Sequence, residues 1–119
     1  VEFLNENLEE IYLDDNEIIE IPQQINISIN LEILYLSSNK IKTIPNEVFN
    51  LIKLKELNLS NNQIEKIPDK ISNLINLKEL FIDNNEIKII PHNIGKLIKL
   101  EKLYLNNNKI STIPIEIYN

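Results

Sequence analysis

Glu56 and Glu79 stand 23 residues apart in two stretches that read almost alike, LKELNLSNNQIEKIP and LKELFIDNNEIKIIP. Two carboxyl groups held side by side can divide acid and base duties, and a retaining glycosidase sets its pair roughly 5 to 5.5 Å apart. That chemistry also needs an enclosure that raises one pKa and excludes water. The other reactive side chains are fewer. His92 is the one histidine and follows Pro91, with no cysteine in the chain and no serine in phase with it. Neither a nucleophilic triad nor a metal-ligand spacing forms around it, and solvent exposure is its expected state. The run Asp14, Asp15, Asn16, Glu17 has the acid density of a calcium loop but lacks the alternating ligands and the glycine of an EF-hand. Ser37 and Ser60 have no base nearby along the chain. The Asn-x-Ser sequons at Asn26 and Asn58 read as chance matches in a chain so rich in asparagine.

Whether these groups meet depends on the elements that carry them, and the chain repeats itself. Leu8, Leu31, Leu54, Leu77 and Leu100 open five units at a constant interval of 23 residues. In each, the first, fourth and sixth places are apolar, as in Leu54, Leu57 and Leu59. Residues two apart on a strand share a face, so the fourth and sixth places point into a core and the third, fifth and seventh point away. Two more isoleucines follow, Ile41 and Ile44 in the second unit, and then a proline: Pro22, Pro45, Pro68, Pro91 and Pro114. Proline has no N–H for a ladder and suits the start of a helical turn. Val48 and Leu51, or Ile71 and Leu74, then lie three apart, one apolar face of a short helix or 3-10 turn on an opposite wall. A single unit cannot bury its own apolar residues, so units must stack in parallel register with strands about 4.8 Å apart. That spacing puts Glu56 beside Glu79 on an open face, where Lys55, Lys78 and Lys102 can compensate them. Unit one departs from its siblings, because Ser28 stands where Leu51, Leu74 and Leu97 do. A looser, more extended back wall is expected there.

The pattern L-x-x-L-x-L-x-x-N-x-L, followed by I-P-x-x-I-x-x-L, resembles the leucine-rich repeat, in the 23-residue intracellular class of Ras-binding scaffolds and related signalling proteins. The resemblance runs from residue 8 to residue 119. It implies an α/β fold: a right-handed solenoid, or horseshoe, with a parallel concave sheet and short helical or 3-10 turns on the convex side. It divides one domain, residues 1–119, into repeats 8–30, 31–53, 54–76, 77–99 and 100–119, with residues 1–7 the tail of a preceding repeat. It gives the ninth-place asparagines, Asn16, Asn39, Asn62, Asn85 and Asn108, a structural role as a buried column, for which an amide with both donors and an acceptor is suited. It also implies a non-enzymatic module whose concave face holds a partner.

On that face the third places read Glu10, Ile33, Glu56, Glu79, Lys102, the fifth Tyr12, Tyr35, Asn58, Phe81, Tyr104, and the seventh Asp14, Ser37, Ser60, Asp83, Asn106. The fifth is an aromatic ladder with one gap. Cross-strand aromatic neighbours stabilise a sheet face, and rigid exposed tyrosines are also typical binding anchors. The expected partner is a protein or peptide, with Tyr12, Tyr35, Phe81 and Tyr104 as anchors and Glu10, Glu56, Glu79, Asp14 and Asp83 selecting a basic segment. Two other readings are a structural spacer and the recognition arm of a larger signalling enzyme.

The charge is unevenly placed, a pattern that suits steering of a basic partner and also ordinary drift on a solvated surface. Eight acids and no lysine precede residue 31, whereas ten acids and twelve lysines follow, for a net charge of -6. With arginine absent and the aromatic stripe in a negative field, nucleic acid is an unsuitable ligand. Nothing in the sequence reads as a basic amphipathic helix or a bilayer span, so no membrane role is expected. No cofactor is implied. The absence of cysteine excludes disulfides and favours a reducing compartment, the cytoplasm. Arginine and alanine are missing while isoleucine, asparagine and lysine dominate, as an AT-rich coding sequence would produce. The chain starts at Val1 and neither end carries a polar cap, so further repeats or domains are expected to flank it in a longer parent.

Overall fold

A computed structural model describes residues 3–118. Five strands, β1 (Glu10–Tyr12), β2 (Ile33–Tyr35), β3 (Glu56–Asn58), β4 (Glu79–Phe81) and β5 (Lys102–Tyr104), form one parallel sheet in sequence order. Each strand is paired in phase with the next, so that Leu34 lies opposite Leu57 and Leu57 opposite Leu80. Strands of three residues are too short to hold a sheet alone. The ladder is extended past them by bonds such as Leu36 N–H to the Asn58 carbonyl (2.8 Å) and Ser38 N–H to the Ser60 carbonyl (2.9 Å).

The opposite wall consists of 3-10 turns at Gln23–Ile27, Asn46–Asn50, Asp69–Asn73, His92–Lys96 and Ile115–Tyr118. Proline stands just before the turn, extended at φ −67° and ψ 147° for Pro22, and its carbonyl accepts the first i+3 bond, from Ile25 N–H at 3.1 Å. Between the walls lies one continuous core. Leu31, Leu54, Leu57, Leu59, Ile64, Leu74 and Leu77 have no exposed surface, while Leu8, Leu13, Leu100, Leu103 and Leu105 of the end coils are half-buried. Leu4 joins this core. Val1, Glu2 and Asn119 lie outside the described residues, so the tail expected over 1–7 is described only from Phe3. The helix-side leucines are buried as their spacing predicts, and Phe49, which belongs to no repeated place, is buried among them.

Unit one corrects an expectation. Its back wall is not more extended: Gln23–Ile27 forms the same 3-10 turn as its siblings, and Ser28 ends it at φ −83° and ψ 61° beside −83° and 67° for Leu51. The proline and Ile25 suffice to set the turn. Ser28 is wholly buried, and its hydroxyl has no hydrogen-bond partner among the described residues. The chain's one glycine, Gly95, serves packing. A Cβ there would lie 2.7 Å from the Glu116 Cβ and 2.8 Å from its carbonyl oxygen, so the last coil seats only because that atom is missing.

The eighth place adopts the left-handed conformation in every coil, with φ between 55° and 58° at Asp15, Ser38, Asn61, Asn84 and Asn107. Asn and Asp tolerate this region best, which explains four of the five residues. Turning there aims the ninth-place amide inward. The Asn62 amide donates to the carbonyls of Leu36 (3.0 Å), Leu59 (3.1 Å) and Ser60 (3.2 Å), and its Oδ1 accepts the Ile41 N–H at 3.0 Å. Asn39, Asn85 and Asn108 repeat this bridge to the preceding coil. The column is not buried throughout. Asn39, Asn62 and Asn85 are buried, Asn108 is half-buried, and Asn16 is exposed and, among the described residues, bonds only the carbonyls of its own turn, Leu13 and Asp14. Only coils with neighbours on both sides shield the amide.

Candidate functional site

The sheet places its third, fifth and seventh residues outward, so Glu10, Tyr12, Tyr35, Glu56, Glu79, Phe81 and Tyr104 share one face. The aromatic residues form two separate pairs. The Tyr12 and Tyr35 rings meet edge to face at 5.2 Å and 82°, and the Phe81 and Tyr104 rings meet tilted at 4.8 Å and 60°. Both are favourable aromatic geometries. Between them stands Asn58, whose Oδ1 accepts the Ser60 N–H two residues along its own coil at 3.0 Å, which leaves an opening in the aromatic row at β3. Tyr12 and Tyr104 remain about half exposed while Tyr35 and Phe81 are more covered.

The acids are tied into this face in different ways. The Tyr12 hydroxyl donates to Glu10 Oε1 at 2.7 Å within β1, and the Tyr35 hydroxyl donates to Glu56 Oε1 across to β3. The bond to Glu56, with burial second, lifts the Tyr35 phenol well above its ordinary pKa, and the bond to Glu10 raises Tyr12 likewise. These contacts orient both rings. Asp14 accepts the Ser37 N–H and hydroxyl, each at 2.7 Å, and Asp83 accepts the Ser60 hydroxyl. The expectation that these serines lack a nearby base is thereby corrected: a carboxylate from the neighbouring coil reaches each. Stacking supplies the partner that the linear sequence does not show. His92 sits exposed on the opposite wall, so no Ser-His-Asp relay is assembled.

The compensation expected for the glutamates is only partly present. Lys102 lies 3.8 Å from Glu79, but Lys55 pairs with Glu32 at 2.8 Å instead of with Glu56. Glu32 is held below, and Lys55 above, its ordinary pKa by that bond. Glu17–Lys40 at 3.9 Å and Glu86–Lys109 at 2.6 Å repeat the motif of opposite charges one coil apart. Glu56 and Glu79 break it, with like charges in register. Five carboxylates, of Glu10, Asp14, Glu56, Glu79 and Asp83, thus share the face with one lysine, Lys102. It is an open surface, without the enclosure that would let a carboxyl pair act as acid and base. Among the described residues no cluster of three or more His, Asp and Glu side chains could hold a metal ion, and no helix is long and apolar enough to cross a membrane.

The Tyr35–Glu56 and Ser–Asp bonds are the features that reading one unit at a time does not find. Comparing the third place with the fifth, and the seventh with itself across units, would have brought these side chains within reach of one another.

Parallel strands in phase, a proline-led 3-10 wall and an asparagine at the turn of every coil define a leucine-rich repeat solenoid. The leucine-rich repeat family model matches residues 6–64, 29–87 and 52–110, and the chain belongs to that family. No curated protein sequence matches it. Solved structures do. The plant peptide hormone receptor RGFR1, in complex with RGF2, is 38% identical with a TM-score of 0.87 over 96% of this chain and 19% of that one. The BIR3–SERK2 complex of Arabidopsis thaliana gives 30% identity and a TM-score of 0.83 over 90% of this chain and 60% of that one. The internalin InlF of Listeria monocytogenes gives 32% and 0.82 over 92% of this chain and 32% of that one. The chain therefore spans less than two thirds of each of these similar proteins. Repeats of this family generally mediate protein–protein interaction.

Proposed function

We propose that this chain is a non-enzymatic interaction module that holds an extended polypeptide across its concave sheet face. The observation that carries the reading is the pair of exposed aromatic platforms on a pre-organised sheet, set in a field of five carboxylates. Rigid aromatic side chains bind at little entropic cost, and an acidic surface steers basic partners. A peptide ligand in the RGFR1 complex supports a polypeptide over other ligand classes. The cysteine-free sequence suits a signalling role in the cytoplasm, in the manner of the Ras-binding scaffolds the repeats resemble. Pull-down from native lysate with the chain and with a Tyr35→Ser/Phe81→Ser/Tyr104→Ser variant tests the assignment. A defined protein recovered by the first and lost by the second is expected. Identical recovered sets would assign the array a spacer role.

A further inference from the structure

The two aromatic platforms stand at a fixed interval on the sheet. The first is centred between β1 and β2 and the second between β4 and β5, three strand intervals apart, or about 14 Å at about 4.8 Å per interval. An extended peptide advances about 3.3 Å per residue, so about four residues span that distance. Four is an even number, and side chains of an extended chain alternate, so residues i, i+2 and i+4 all face the sheet. With i and i+4 on the platforms, i+2 falls over β3, at the opening beside Asn58. What borders that opening is Glu56, in register with Glu79. Elsewhere this molecule sets opposite charges one coil apart, as in Glu32–Lys55 and Glu86–Lys109. Here two acids stand in register and share one lysine, Lys102 beside Glu79, while Glu56 is held by the Tyr35 hydroxyl; the remaining like-charge repulsion on the sheet is relieved by a second cation placed between the two.

We propose that the concave face selects an extended segment with apolar side chains at i and i+4 and a lysine or arginine at i+2, the cation lying over β3 between Glu56 and Glu79. The inference rests on the concave-face reading above and adds the spacing, the parity and the central charge. The platforms supply contact area; the acidic opening between them sets the register.

A synthetic peptide array tests it, with the 119-residue chain as probe. Peptides carry leucine or phenylalanine at i and i+4 around a central lysine, on a Gly-Ser background. Comparison sets move the second anchor to i+3, or replace the central lysine with alanine or glutamate. Displacing an anchor to the odd position, which turns it away from the sheet, is expected to weaken binding about tenfold or more. Removing the central charge is expected to weaken it up to about fivefold, as for an exposed ion pair. Glu56→Gln/Glu79→Gln should abolish the preference for lysine while keeping the i, i+4 preference. Asn58→Tyr should fill the opening and lose binding although it adds an aromatic ring.

Binding that depends on Tyr35 and Phe81 but shows no preference for spacing or central charge would overturn this proposal and leave concave-face binding standing. Failure of every peptide to bind would overturn both. Self-association abolished by Tyr35→Ser would give the face to a second copy of the chain and overturn it as well. Urea midpoints of the variants separate lost binding from lost folding.

Discussion

Asn62→Ala removes four hydrogen bonds, yet the structure says that only one of them is irreplaceable. The Leu36 carbonyl also accepts from Asn39, the Leu59 carbonyl from Asn85, and the Ser60 carbonyl from the Ser38 N–H. Among the described residues the Ile41 N–H has Asn62 Oδ1 as its single acceptor, and Ile41 is wholly buried. The cost is therefore that of one buried, unpaired N–H, about 1 to 3 kcal/mol, and not the sum of four bonds. With a urea m-value of about 1.5 kcal/mol/M, a cost of about 2 kcal/mol lowers the denaturation midpoint by about 1.3 M. Asn16→Ala is the internal control, because Asn16 is exposed and, among the described residues, bonds only its own turn. Its midpoint should move by less than about a quarter of that amount, as for an exposed bond. Urea melts followed by circular dichroism compare the two. Equal shifts would refute the argument, since the inter-coil bond would then carry no more than a surface one.

Three further outcomes are expected. Gly95→Ala should cost about 1 to 3 kcal/mol through the overlap with Glu116, and the loss should concentrate in the last coil; unchanged amide exchange protection over residues 100–118 would contradict it. Ser28→Ala should stabilise the chain by about 1 kcal/mol, because it deletes a buried hydroxyl without a partner among the described residues; a lower urea midpoint would show that the hydroxyl is bonded. The raised pKa of Tyr35 predicts alkaline sensitivity. Below about pH 10 the phenol is protonated in both states and the contribution is complete; above it the unfolded chain releases the proton while the folded one keeps it, so stability falls. Between pH 9 and pH 11 the wild-type chain should lose more stability than Tyr35→Phe, and equal losses would exclude the Tyr35–Glu56 bond as the cause.

Much of this architecture is legible in one repeat. Leu57 and Leu59 declare an inward face by alternation, Pro68 declares the end of the extended run, and Ile71 with Leu74 declares the turn behind it. What is hidden depends on two repeats at once. Ser37 shows no base along the chain because its carboxylate, Asp14, arrives from the coil before it, and Tyr35 finds Glu56 only after strands are set side by side. The left-handed eighth place is visible in its Asp and Asn residues, but Ser38 conceals it, since serine has no special claim to that conformation. The back wall of unit one shows the converse. Ser28 suggests a different backbone, whereas the proline and the first buried isoleucine set the turn without help from its last residue. The aromatic stripe is legible as residue types, while its division into two pairs follows from Asn58, whose Oδ1 accepts the Ser60 N–H of its own coil.

The uniform spacing of the inter-coil bonds bears on how such a gene can change. Bonds between coils join residues 21 to 26 positions apart, and the asparagine bridges at 21 and 26 positions and the backbone bonds at 22, 23 and 24 recur at each of the four junctions. A replication slip that removes one whole 23-residue unit therefore leaves each surviving junction with its partners in phase, whereas loss of a single codon throws one junction out of register. Excision of residues 54–76 would bring Tyr35 beside Phe81 and turn two platforms with an opening into one unbroken row. Glu56 would be lost with the excised unit, and the central acidic position with it. For this chain, gain or loss of a whole coil recomposes the row of side chains on the concave face while each surviving junction keeps its bonds.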